Sequence, residues 1–325
     1  MKKYLVTGGL GFIGSNFINS LYKVLIKRGE EFEIHCVDKE TYAASLNNLE
    51  SEILNSIHFV LHKIDICGPE VIYLMRNNKF VFCAHFAAES HVDRSIEEPS
   101  VFLQTNVMGT TNLLNGWRNY QTTRFLHVST DEVYGSLESG EATEGHILDP
   151  SSPYSASKAA SDLLVLSYVR TFQIDAVVTR CTNNFGLNQN KEKLIPKMIF
   201  NILNGSNLGI YSDGLNVREW IHVDDHVSAL LALLEAKKLN NKVYNIGSGV
   251  RKSNLEIVDL IKRISGIKDA VVEHTKDRPG HDFRYAVNSR LLSNELNWTP
   301  ENNLEIGIQQ LISHFRLTGT FETSH

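Results

Sequence analysis

The chain has 325 residues, 42% of them hydrophobic and 21% charged, with a formal net charge of −5. That is enough apolar material for one large folded unit or two joined ones, and the acidic balance excludes a general nucleic-acid or membrane-surface binder, which needs a basic excess. No stretch is apolar for the length of a membrane span, MKKYLVTGG lacks the apolar core of a secretory signal, and Cys36, Cys67, Cys83 and Cys181 are too scattered for a metal or redox pair, so a cytoplasmic protein with reduced thiols is expected.

In chain order, a first predicted strand, KYLVTG (3–8), runs into TGGLGFIG (7–14). Gly8, Gly11 and Gly14 allow a tight turn, close approach of backbone N–H groups to a pyrophosphate, and close helix–strand packing. Phe12, Ile13, Phe17, Leu21 and Leu25 then recur at helical spacing. The second strand, FEIHCVD (32–38), ends in Asp38, 24 residues after Gly14. A carboxylate there accepts hydrogen bonds from the adenosine ribose and repels a 2′-phosphate, which favours NAD over NADP; Lys39 beside it works against that preference. HFVLHKID (58–65) is a third strand, and its end, Asp65-Ile66, suits an adenine-edge contact and equally a plain turn.

FVFCAHFAA (80–88), RFLHVST (124–130) and AVVTRC (176–181) read as further strands, with helices over 101–117 and 154–172. Strand–helix alternation implies a parallel sheet covered on both faces. After Asn183 helix and loop dominate, with one returning strand at KVYNIG (242–247) and a polar turn at KDRPGHDFRY (276–285). The expected fold is therefore α/β, a doubly wound parallel Rossmann sheet with a smaller C-terminal substrate-binding domain. Residues 1–183 form the first domain, 222–247 return to it, and 184–325 mainly form the second, over the sheet's carboxyl edge where ligands bind.

Tyr154 and Lys158 stand at i, i+4 and share one helix face. An ammonium near a phenol favours phenolate, so the pair is expected to lower the tyrosine pKa and make it a base for a hydroxyl proton. Such pairs also arise by chance on helices; here one follows a glycine-rich dinucleotide motif and a strand ending in Ser129-Thr130.

At this point the chain resembles the extended short-chain dehydrogenase/reductases and, within them, the dTDP-glucose 4,6-dehydratases. The resemblance runs through TGGLGFIG, FAAESHVDRSI (86–96), TNVMGT (105–110), STDEVYG (129–135), SPYSASKA (152–159) and EKLIP (192–196), then DGLNVREWIHVDDH (213–226), YNIGSG (244–249) and RPGHDFRYAV (278–287). STDEVYG is the most specific, because sugar epimerases of the superfamily usually carry small hydroxyl or apolar residues in place of Asp131 and Glu132. The resemblance implies that Asp131 is the acid for a departing C6 hydroxyl, Glu132 the base for the C5 proton, and Thr130 a hydrogen-bond partner of the C4 oxygen. It implies bound NAD against Gly8, Gly11, Phe12, Ile13, Gly14, Asp38, Lys39, Asp65, Ile66, Phe86, Ala87, Ala88, Ser90, Thr105, Tyr154, Lys158 and Asn184. It also implies a nucleotide-sugar substrate held by Ser90, Thr130, Asn183, Lys193, Leu194, Arg218, Asn254, Arg278, His281, Arg284 and Tyr285, and a homodimer formed through the 101–117 and 154–172 helices.

The sequence departs from that family in NNFGLNQNKEKLIP (183–196), where Phe185, Leu187 and Lys191 replace Tyr, Pro and Pro. The loop bears on substrate choice, so dTDP-glucose is the first candidate and UDP-glucose stays open. His222 and His226 stand at i, i+4 without a third ligand, so no metal is expected. A 4-epimerase or decarboxylase of the same superfamily, an ordinary dehydrogenase that releases NADH, and a non-catalytic dinucleotide sensor remain as alternatives. The Asp131–Glu132 pair disfavours an epimerase or ordinary dehydrogenase, and the intact Tyr154–Lys158 pair disfavours a sensor.

Overall fold

A computed structural model describes residues 1–323. β1 (Lys2–Thr7) leads through α1 (Phe12–Lys27) to β2 (Phe32–Asp38), then through α2 (Ser51–Leu54) to β3 (Phe59–Lys63) and through α3 (Pro69–Asn77) to β4 (Phe80–His85). α4 (Val92–Glu97) and α5 (Pro99–Phe102) pass through a π-helical segment, Leu103–Gly109, into α6 (Thr110–Tyr120). β5 (Arg124–Thr130), α7 (Pro153–Phe172) and β6 (Ala176–Cys181) follow.

With β10 (Val243–Ile246), these strands form a seven-stranded sheet in the order β3-β2-β1-β4-β5-β6-β10, and every pairing is parallel. Such a sheet must bury both faces. Alternate residues of β1 show how: Tyr4 and Val6 pack in one layer with Phe17 and Leu21, whereas Leu5 joins Leu113, Trp117 and Val165 in the other. The order reverses between β1 and β4, and that switch point opens a crevice at the carboxyl ends of the strands. Thr7, Asp38, His85 and Thr130 all end strands there.

The rest of the chain comprises β7 (Asn183–Phe185), α8 (Leu194–Leu203), β8 (Leu208–Tyr211), β9 (Val217–His222), α9 (Val223–Glu235), β11 (Arg251–Ser253), α10 (Asn254–Ser265), β12 (Val272–Thr275), α11 (Arg290–Leu296) and α12 (Leu304–Thr318). Ile199, Trp220, Ile257, Ile261, Ile308 and Leu311 close a separate apolar cluster. α9 shares its apolar layer with α1, and β10 pairs with β6. The expectation of a single strand after Asn183 needs correction. β7, β9 and β11 form a second sheet, and β8 pairs with β12. These strands are short and their sequences show no clean alternation: β9 buries Arg218 and Glu219, and β11 is Arg-Lys-Ser. The 101–117 helix is present, with a π-helical interruption that its apolar spacing did not reveal.

Candidate active site

A cavity of about 410 Å³ occupies the switch-point crevice. One wall is built mainly from backbone. Gly8 sits at φ +70°, and a Cβ there would lie 2.5 Å from the Ala87 nitrogen; a Cβ on Gly14 would overlap the Gly8 carbonyl. Only glycine lets the turn pack this closely. Gly11 caps α1, whose first turn has no side-chain cap and no acidic residue, leaving its N–H groups for an anion. Phe12, Ile13, Ile66, Phe86, Ala87, Ala88, Thr105 and Asn184 complete the wall.

Asp38 accepts from the Leu10 N–H at 3.1 Å and the Glu40 N–H at 2.8 Å, while burial raises its pKa. Each carboxylate oxygen keeps further acceptor capacity for a ribose hydroxyl. Lys39 faces Asp65 at 3.6 Å and Glu89 at 3.9 Å, so its charge is already met by carboxylates. Asp65 also accepts from the Cys67 N–H at 2.9 Å, which ties down the end of β3. A cradle of glycine backbone, an open helix N-terminus and an acid at the end of β2 fit a dinucleotide.

The opposite end concentrates ionisable side chains. β5 ends at Thr130, whose hydroxyl accepts from the Glu132 N–H at 3.3 Å and so caps the turn that carries Asp131 and Glu132. Asp131 is fully enclosed and its Oδ2 has no hydrogen-bond partner. Burial, then the charges of Glu132 and Glu219, push its pKa well above the ordinary carboxylate range. Glu132 is also raised by burial, against the pull of Arg278, Arg218 and Lys193. A neutral acid beside a more readily ionised carboxylate is the division that acid–base elimination needs.

Tyr154 lies in the first turn of α7. Ser152 and Ser155 form a capping box around it and Pro153 begins the helix, which fixes the entry angle. Lys158, one turn later, donates to the Val128 carbonyl at 2.8 Å, and burial lowers its pKa to about 8. The expected lowering of the Tyr154 pKa does not hold in the free protein. Burial and the Glu132 charge raise it well above the usual value, with the Thr130 hydroxyl pulling the other way.

Cations join Glu132 at this end. Lys193 caps α8, donates to the Ser90 carbonyl at 3.1 Å and has its pKa lowered by burial. Arg218 donates to the Asp282 carbonyl at 2.9 Å and lies 4.4 Å over the Tyr285 ring. Arg278 reaches Asp93 at 3.5 Å, and its Nε is buried without a partner. With Ser90 and Asn183 these residues line the cavity, and three clustered cations suit a diphosphate.

Five residues expected at the substrate do not line this cavity. Tyr285 supports Arg218 and donates to Asp282 at 2.6 Å, and Arg284 donates to the Gly140 carbonyl at 2.9 Å. His281 pairs with Asp277 at 2.6 Å. Asn254 opens α10 and Leu194 opens α8 beside the C-terminal apolar cluster. The RPGHDFRY segment turns at Pro279-Gly280, with Gly280 at φ +64°, so its residues face different neighbours. Conversely, Cys181, Thr182, Gln189, Asn190 and Glu192 line the cavity although sequence reasoning did not select them. The signal for Cys181 was available, since it ends β6 opposite Thr130 in register. His222 accepts from the Asp224 N–H at 3.3 Å as the cap of α9, and His226 meets Asn184 at 2.9 Å, so the two imidazoles serve separate contacts.

A sequence model of the GDP-mannose 4,6 dehydratase family matches residues 5–311. The dTDP-glucose 4,6-dehydratase of Actinoplanes sp. is 41% identical, covering 99% of this chain and 100% of the relative. That of Streptomyces antibioticus is 44% identical over 96% and 92%. Among solved structures, DesIV (dTDP-glucose 4,6-dehydratase) of Streptomyces venezuelae, crystallised with NAD and TYD bound, superposes with a TM-score of 0.92 at 39% identity, covering 97% of each chain.

Proposed function

The chain belongs to the GDP-mannose 4,6 dehydratase family, among its dTDP-glucose 4,6-dehydratases, and from that premise we propose that it dehydrates dTDP-glucose to the 4-keto-6-deoxy sugar with NAD as resident coenzyme. The observation that carries the reading is the Asp131–Glu132 turn at the end of β5, in the same cavity as Tyr154 and Lys158. Oxidation at C4 needs one base; elimination across C5 and C6 needs a second base and an acid.

When bound, NAD would supply hydride-accepting and hydride-donating chemistry for C4 and C6, and a positive charge that would favour the ionised form of Tyr154. Gly8, Gly11, Gly14 and Asp38 hold it on the backbone-built wall. Tyr154 takes the C4 hydroxyl proton, with Lys158 held against Val128 on the same helix face. The C4 ketone acidifies the C5 proton, which passes to Glu132. Asp131, kept neutral by burial, gives its proton to the C6 hydroxyl as it leaves as water. Glu132 then returns a proton, exchanged with solvent, to C5, while Tyr154 releases its proton to solvent and Asp131 takes one up, which restores all three groups. Lys193, Arg218 and Arg278 hold the diphosphate, and Asn183 and Ser90 lie where polar groups of the sugar nucleotide meet the cavity wall.

The division into residues 1–183 with 222–247, and 184–325 for the rest, is supported by the separate cluster of Ile199, Trp220, Ile257 and Ile308, while Leu292 and Trp298 pack with the first unit's apolar layer. A homodimer across the 101–117 and 154–172 helices is supported by exposed apolar side chains there, among them Val101, Leu103, Met108, Leu163 and Phe172. A cytoplasmic setting is supported by four free cysteines.

The test is a product assay with dTDP-glucose and UDP-glucose and no added coenzyme. Conversion of dTDP-glucose to a 4-keto-6-deoxy product is expected, with solvent deuterium entering C5 and the C4 hydrogen recovered at C6. A product that keeps its C6 hydroxyl would replace this reading with epimerisation.

A further inference from the structure

Two loops contribute to the coenzyme end of the cavity. One follows β2 and supplies Thr41, Ala43 and Ala44; the other follows β7 and supplies Gln189, Asn190 and Glu192. They meet directly where the Tyr42 hydroxyl donates to Glu192 at 3.4 Å. Behind them lies a second cavity of about 420 Å³, which shares Ala43, Ala44, Gln189 and Asn190 with the first. These four residues are therefore a thin partition with open space on both sides.

The far wall of that second cavity is the segment after α12. Gly319 ends the helix at φ +73°, and residues 320–323 turn back across both loops. The Phe321 carbonyl accepts from the Asn188 N–H at 2.6 Å, and the Thr323 hydroxyl donates to the Asn188 side chain at 2.7 Å. Glu322 accepts from the Ser45 hydroxyl at 2.9 Å and the Asn47 amide at 3.0 Å. Phe321 is buried and stacks on Phe315 at 4.8 Å. Asn188 also donates to the Asn48 carbonyl at 3.0 Å and to Ser15, just beyond the glycine turn, at 3.3 Å. It holds a left-handed conformation, φ +71°, which these contacts fix.

We propose that residues 320–323 are a latch that retains the coenzyme, by tying the loop of Ser45 to the loop of Asn188 so that the partition between the two cavities cannot part. The proposal rests on the dehydratase reading, in which the coenzyme ends each cycle as it began and gains nothing by leaving. The latch acts through the loops and touches no reacting atom, so its residues are positioning residues. It controls how fast the dinucleotide leaves, while the sugar-nucleotide end, with Arg218 and Arg278, stays as it is.

The experiment compares wild type with Glu322→Ala and Phe321→Ala, each purified in the coenzyme-bound form. Readouts are NAD content after desalting, the NAD dissociation rate, thermal midpoint, and KM for dTDP-glucose with NAD in excess. Glu322→Ala removes two hydrogen bonds with little packing loss and should speed NAD dissociation by about tenfold. Phe321→Ala should speed it more, at some cost in thermal midpoint. In both, excess NAD should restore kcat, with KM for dTDP-glucose within about twofold of wild type, the scatter of substitutions remote from the ligand. Should both variants keep NAD as slowly as wild type, or lose activity that added NAD does not restore, the latch is wrong while the dehydratase reading stands. Wild type that neither holds NAD nor converts dTDP-glucose would overturn both.

Discussion

The two ends of the cavity solve different problems. The coenzyme end is made largely of glycine turns, small side chains and backbone N–H groups, and Asp38, the carboxylate that ends β2, already has two N–H partners. The chemical end packs Asp131, Glu132, Tyr154, Lys158, Lys193 and Arg218 together, shifts their pKa values, and leaves Asp131 Oδ2 and Ser129 Oγ without partners. The first is specified by shape and the second by charge held out of water. Shape should fail by overlap, whereas charge should fail by loss of function with the fold retained.

The largest effect is expected at the charged end. Glu132→Gln should lose about 10²–10⁴ in overall rate, the usual contribution of a positioned acid–base group. C4 oxidation should still occur, so NADH absorbance should rise on mixing with substrate while no dehydrated product forms. Normal dehydration by this variant would remove Glu132 from its role.

Gly14→Ala should break the other end by overlap, because the added methyl meets the Gly8 carbonyl. Overpacking of this kind costs about 1–3 kcal/mol. NAD affinity, measured by titration of the apoprotein, should fall by about tenfold or more, with product identity unchanged on whatever coenzyme is bound. Wild-type affinity would mean that the turn is less tightly fitted than its geometry indicates.

Arg218→Lys keeps the charge but loses the planar fork that engages Asp282, Val217 and the Tyr285 face. KM for dTDP-glucose should rise by roughly tenfold, a loss of about 1.4 kcal/mol of binding, and NAD retention should be untouched. A change in NAD retention would show the two ends to be coupled.

The remaining effect concerns stability rather than binding or turnover. His127 and His226 are fully buried, and desolvation holds their pKa values at about 4 and about 3, below the ordinary 6.5. Between those values the unfolded chain binds protons that the folded one does not, so their contribution is complete above about pH 6.5 and is lost as the pH falls through that window. The thermal midpoint should therefore drop from pH 7 to pH 5, and His226→Asn should flatten that slope. An unchanged slope would place the acid sensitivity elsewhere.

The same contrast explains what could be read without coordinates. TGGLGFIG and Asp38 announced the coenzyme wall because shape leaves a local pattern: a glycine whose neighbour is Ala87 or the Gly8 carbonyl has no substitute. Strands of the central sheet were legible for the same reason, being buried on both faces. Asp131, Glu132, Tyr154 and Lys158 needed the resemblance to gain meaning, since neighbouring acids and an i, i+4 pair are common. The raised pKa of Tyr154 was invisible, because desolvation depends on enclosure by distant segments. Beyond β10, the strands after Asn183 were not legible, because Arg218 and Glu219 are buried in a strand and paired through partners far along the chain. His281, Arg284 and Tyr285 came with the resemblance as parts of one segment, and the chain turns them to different neighbours.

The π-helical segment Leu103–Gly109 sets a constraint on how this protein can be shortened or spliced. An α-helix advances about 100° per residue, and a π-turn holds one residue more than its α-helical equivalent. Thr105 on the cavity wall and Asn106, which holds Glu89 and Ser157, therefore lie out of phase with α6 beyond them. Deleting a single residue here would let the helix close into regular α-turns with Leu113, Leu114 and Trp117 still in the layer they fill, while Thr105 and Asn106 would lose the offset that aims them at the cavity wall and at Glu89 and Ser157. Chimeras joined between positions 103 and 109 must keep the count, even where the exchanged residues are individually acceptable.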